Sequence, residues 1–256
     1  MIDTPPRGAA DGGLAAARVG WYAGLLTSAT TAVTFGFAIT ALPNSGAGCA
    51  EGCLAYPYLD SLAEFPRDYL WMPPAIMLCL VYVAFMASIH ASAAPERKIY
   101  SQIGLSFALM SAITLAGTYF VQLTVVPASL LHGETEGIAL LTQYNPRGVF
   151  IALEELGYLL MSLSFLCVAP VFTGAGRAAA ALRWVFAGGF ALAALALIGF
   201  LGAYGLDRED RLEVALISID WLVLLVSGVL ASLVFRARLA LRRGAPAAPT
   251  LGATGA

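Results

Sequence analysis

The chain has 256 residues, of which 59% are hydrophobic and only 12% charged, and its mean hydropathy is +0.80. A soluble domain is about 45–50% apolar and about 25% charged, so this little charge cannot coat a water-facing globule. The net charge of -2 gives no electrostatic bias toward nucleic acid, which is not expected as a partner.

Six apolar stretches reach the roughly 20 residues that a bilayer crossing needs. They lie near 19–42, 71–93, 100–126, 147–170, 181–204 and 213–236. The pattern predicts an all-α transmembrane bundle, because lipid offers backbone N–H and C=O groups no partner and runs this long do not suit a β-barrel. Residues 1–18 read as a polar cytoplasmic leader that lacks the basic start and short apolar core of a cleaved signal. Residues 244–256 read as a low-complexity, disordered cytoplasmic tail. Pro43, Pro95 and Pro170 mark the ends of the first, second and fourth spans. Pro73-Pro74 suits the first turn of the second span, and Asn145-Pro146 reads as the cap and first position of the fourth.

Orientation follows from Lys and Arg. Arg7, Arg18, Arg97, Lys98, Arg177, Arg183, Arg236, Arg238, Arg242 and Arg243 share one side, while Arg67, Arg147, Arg208 and Arg211 share the other. The excess places both termini in the cytoplasm, as an even number of spans requires.

The first span carries a small residue at every fourth position: Gly20, Gly24, Ser28, Ala32, Gly36 and Thr40. Such a ladder lets a neighbouring backbone approach. Thr27, Thr30, Thr31 and Thr34 beside it either bond to carbonyls one turn back or line a polar cavity. The fifth span has no polar side chain from Val185 to Ala203 and reads as scaffold.

Carboxylates within a span are costly and mark sites of interest. Glu154, Glu155 and Asp220 are such residues. At 1.5 Å per residue, Glu154 lies about 10 Å inside the outer end of its helix. Asp220 and Gln122 fall near the same depth on two other helices. Tyr158 lies one turn from Glu154, and Tyr119 lies beside the Ser111, Thr118 and Gln122 stripe. These six residues, Glu154, Glu155, Asp220, Gln122, Tyr158 and Tyr119, are the candidates for binding a ligand or a proton. The bland alternative is a buried hydrogen-bond network that sets helix order, or side chains reaching outer water. With no Arg or Lys inside a span, at least one of the three acids is expected to hold a proton at neutral pH.

Other chemistry is mostly excluded. His90 and His132 fall on opposite sides of the membrane, roughly 30 Å apart, and cannot share a haem or a zinc. His132, Glu134 and Glu136 could touch a metal, although alternating acids in a loop are usually solvated, and neither metal nor cofactor is predicted. The single lysine, Lys98, lies in a loop, which excludes a retinal Schiff base. There is no phosphate loop and no nucleophile elbow. Cys49 and Cys53, in CAEGC of the first outer loop, are a disulfide candidate, with free thiols or an intermolecular bond as alternatives. Cys79 and Cys167 read as core. In the outer loops, Ser61 and Glu64 have capping-box spacing and residues 134–143 suit a second short helix. Together these loops could roof the acidic layer or simply anchor at the interface.

The stretches FPRDYLWM, SQIGLSFALMSA and QYNPRGVFIALEELGYLLMSLSFL resemble segments of uncharacterised bacterial inner-membrane proteins. The resemblance implies a multi-pass protein of the bacterial cytoplasmic membrane and brings no activity with it. The expectation is a small transporter or ligand-binding membrane protein, with membrane lipids and a small molecule or ion as partners. The alternatives are a membrane enzyme acting on a lipid or isoprenoid, and a non-catalytic assembly factor.

Overall fold

The computed structural model describes residues 7–41, 44–173 and 176–244. The expected start of the leader (1–6), the end of the first span at Pro43 and the tail from residue 245 lie outside the described residues. The chain is all-helical, with no strand among the described residues. Six long helices dominate: α1 (Arg7–Ala38), α2 (Met72–Ala91), α3 (Lys98–Thr124), α6 (Val149–Val168), α7 (Arg177–Tyr204) and α8 (Arg211–Gly244). The short α4 (Val126–Leu131) and α5 (Ile138–Leu141) lie between α3 and α6.

Five helical segments are long and apolar enough to cross a membrane: Arg67–Ala91, Pro95–Leu131, Val149–Val171, Arg177–Asp207 and Arg211–Leu241. This is the character of a multi-pass membrane protein. α1 is not among the five. It is long enough, but its run of threonines and glycines lowers its hydropathy.

The helices form a ring. α1 packs on α2, α2 on α3, α3 on α6, α6 on α7 and α7 on α8, and α8 closes on α1 while also touching α6. At the α1–α8 seam the backbones come very close. A Cβ on Gly24 would lie 2.7 Å from the carbonyl oxygen of Gly228, and one on Gly228 would meet the oxygen of Gly24 at 2.5 Å. The Ser28 hydroxyl donates across the seam to the Leu225 carbonyl at 2.7 Å. The ladder serves only its first half, since Gly36 faces open space. Every-fourth residues advance by about 40° per step, so Gly36 is turned about 160° from Gly20. The threonines take the back-bonding option: Thr27, Thr31 and Thr34 donate to carbonyls of Ala23, Thr27 and Thr30.

Helix ends depart from the expected punctuation where tertiary contacts decide them. α1 begins at Arg7 and α8 runs on to Gly244, because hydropathy reads the apolar stretch and not the helix that extends beyond it. α6 starts at Val149 with Gly148 at its cap, so Asn145-Pro146 is not its N-terminus. Asn145 instead closes a turn, accepting the Arg147 N–H at 3.0 Å and donating to the Ala139 carbonyl at 2.6 Å. Ser61 and Glu64 form no capping box. They lie within a 3-10 helix, Leu59–Glu64, where the Ser61 hydroxyl has no partner and Glu64 pairs with Arg67. Of residues 134–143, only Ile138–Leu141 is α-helical.

Candidate functional site

The long connections at one end of the ring, between α1 and α2 and between α3 and α6, cover a set of polar side chains from α3, α6 and α8. Tyr119 of α3 donates its hydroxyl to Glu154 Oε1 of α6 at 2.8 Å. Tyr119 has a single proton, so the 2.8 Å contact between the Tyr119 and Tyr158 hydroxyls has Tyr158 as donor. Trp221 of α8 donates its indole N–H to the Tyr158 oxygen at 3.1 Å. The Glu213 carboxyl of α8 lies within hydrogen-bonding reach of Glu154. Two carboxyls can bond only while one of them carries a proton. The Trp71 ring packs edge-on against Tyr119 and Trp221, at 5.0 and 6.2 Å between centroids.

A cavity of about 150 Å³ opens beside the pair, with Asn44, Asp68, Trp71, Tyr144, Asp210 and Glu213 among its lining. Its roof is hydrogen-bonded. Asp68 accepts from Asn44 Nδ2 and from the Tyr144 hydroxyl, both at 3.1 Å, and from Arg67 Nε at 2.6 Å. Burial and the neighbouring Tyr69 and Asp68 oxygens push the Tyr144 hydroxyl pKa well above its usual value, so it stays a donor. Asp210 accepts the Ala47 N–H at 3.0 Å. Cys49 and Cys53 are joined by a disulfide, with Cα atoms 5.9 Å apart, in the same loop.

The six residues singled out from the sequence divide among four places, all of them buried. Glu154, Tyr119 and Tyr158 form the chain just described. Gln122 lies outside that chain and ties loops together, donating to the Tyr69 hydroxyl at 3.2 Å and accepting the Gln143 N–H at 3.1 Å. Glu155 points away from its neighbour. Arg208 Nε meets it at 3.1 Å and Arg208 Nη2 completes a two-pronged pair. Glu155 thus has a cationic partner that no span supplies, because the α7–α8 turn carries Arg208 back over α6. The same hydrogen bond holds the Arg208 guanidinium pKa above its usual value. Arg147 pairs with Glu209 at 3.3 Å and not with Glu154. Asp220 lies deeper, accepting the Ser162 hydroxyl on Oδ1 at 2.8 Å, with no partner on Oδ2.

Glu213, Trp71, Asp68 and Tyr144 belong to this site and are not among the six. The seven-residue repeat of Glu213, Asp220 and Ser227 was the available signal for Glu213. The roof residues had none, since their partners are set by loop paths. Among the described residues, no three His, Cys, Asp or Glu side chains gather as a metal site. Comparison with protein-family models, curated proteins and solved structures finds no match.

Proposed function

We propose that this chain is a six-span membrane protein with both termini cytoplasmic, α1 being the sixth crossing helix, that takes up a proton or small cation in an outward-facing acidic cavity. It acts as a small transporter or ligand-binding protein of the bacterial cytoplasmic membrane, in keeping with the resemblance of its central segments. One observation carries the reading: the Glu154–Glu213 carboxyl pair joins two helices beside a cavity that also receives Asp68 and Asp210. Acids gathered within a membrane protein mark ion or proton sites. α1 supports the span count because its threonine hydroxyls are satisfied within its own helix, which removes their cost in lipid.

The test is thermal unfolding of purified protein in lipid nanodiscs, at acid and alkaline pH and with Na⁺ or Li⁺ in place of choline. Acid or an alkali cation is expected to raise the midpoint by several degrees in wild type and not in the double variant Glu154→Gln, Glu213→Gln. Equal responses in the two proteins would refute the cavity as the site of uptake.

A further inference from the structure

Asp220 is fully buried, and the reading of the cavity leaves it unused. One of its carboxyl oxygens is bonded to Ser162 and the other to nothing. An ionised carboxylate there would lack compensation from every side. α6 presents Glu154, Tyr158 and Ser162, with Glu155 engaged by Arg208. α2 brings Cys79 and Tyr82, the latter within electrostatic reach of Asp220. α1 has no ionisable side chain from Ala23 to Ala38, and α7 has none from Trp184 to Ala203. On α8 itself the nearest ionisable residues are Glu213 and Arg236. A buried carboxyl facing no cation keeps its proton, and Oδ2 is the atom left to carry it.

The polar groups around it form a file. Glu154, Tyr158 and Ser162 step down one face of α6 at four-residue intervals, and Glu213 and Asp220 step down α8 seven apart. Every hydroxyl in the upper part donates toward the cavity: Tyr158 to Tyr119, and Tyr119 to Glu154. We infer that Asp220 is a proton-binding site that exchanges with the cavity through Tyr158 and Tyr119. The inference rests on the cavity being the place of proton entry.

The transfer balances without further reagents apart from one water. The Asp220 O–H bond breaks and Tyr158 gains a proton. Tyr158 gives its own to Tyr119, and Tyr119 gives its own to the Glu154 carboxylate. Counting the bridging water, four O–H bonds break and four form. Both tyrosines end neutral, and one proton has moved from Asp220 to Glu154. One water between Asp220 Oδ2 and the Tyr158 hydroxyl completes the file, accepting a proton from the first and releasing another to the second.

The test is infrared hydrogen–deuterium exchange of the protonated carboxyl band in nanodiscs. Asp220→Asn assigns the band by removing it. Exchange in wild type is expected to be complete while the helix amides remain protected. It should slow by about tenfold or more in Tyr158→Phe and in Tyr119→Phe, since each removes a relay hydroxyl and raises the barrier. Ser111→Ala, which removes a different buried hydroxyl from the α3–α6 interface, should exchange at the wild-type rate. The inference is overturned if Asp220→Asn removes no band, if the band never exchanges, if both Phe variants exchange like wild type, or if Ser111→Ala slows as much as they do. The cavity reading fails separately, through an unfolding midpoint indifferent to pH and to Na⁺.

Discussion

Glu154 and Glu213 belong to different helices, yet their carboxyls meet within hydrogen-bonding reach beneath the Asp68 roof. The contact exists only while the pair retains a proton. Its stabilisation is therefore present at low pH and lost as pH rises and the proton leaves, when two like charges remain in a buried site. Wild type should lose unfolding temperature as the pH is raised from acid to alkaline. Glu213→Gln, whose amide donates without titrating, should show a flatter profile. A wild-type profile that is already flat would count against the shared proton.

Asp68 accepts from Asn44, Arg67 and Tyr144. Asp68→Ala leaves Asn44 and Tyr144 without their acceptor, at a cost of about 1–3 kcal/mol for buried groups left unsatisfied. Amide hydrogen exchange should quicken in residues 44–54 and 142–148 and stay unchanged in α7. Uniform exchange across the chain would show that Asp68 does not hold the roof.

Arg208→Ala strands the Glu155 carboxylate. Arg208 keeps about a quarter of its side chain exposed, so the cost falls below that of a fully buried pair, at about 1–3 kcal/mol. Adding Glu155→Gln should recover most of the loss. A double variant as unstable as the sum of the two singles would show that the two residues are not coupled.

Gly228→Ala places a methyl against the Gly24 carbonyl and the Ser28 hydroxyl. It should destabilise by about 1–3 kcal/mol through forced separation of the helices. Gly36→Ala, facing open space, should stay within about 0.5 kcal/mol of wild type. Thermal unfolding of the two variants side by side decides the matter.

The six-span arrangement predicts that reporter fusions after Pro95 and after Gly174 read cytoplasmic, and those after Pro43 and after Asp207 external. The reverse pattern would overturn the orientation, and a mixed one the span count.

Much of this architecture is legible in the sequence because apolar length is a local property. The α2, α3 and α6 bounds lie within two residues of the runs read from composition. Pairing is not local. Glu155 finds Arg208, 53 residues on, only because the turn after Tyr204 folds back over α6. Glu154 finds Glu213 only through the rotation of α8 about its axis, and adjacent positions on α6 face about 100° apart. That one angle sends Glu154 to a carboxyl and Glu155 to a guanidinium, a separation that depth alone could not reveal. Asn145 shows the same limit at a helix end, where a strong capping residue is drawn into a turn by the nearby Ala139 carbonyl.

The seam between α1 and α8 joins the first and the last of the long helices among the described residues. Without α8, the bared backbone at Gly24 loses the neighbour it approaches, and Glu154 lacks the carboxyl opposite it. The threonine hydroxyls of α1, bonded within their own helix, need no neighbouring helix to satisfy them. Docking of α8 thus does two things together: it shuts the ring and completes the acidic pair.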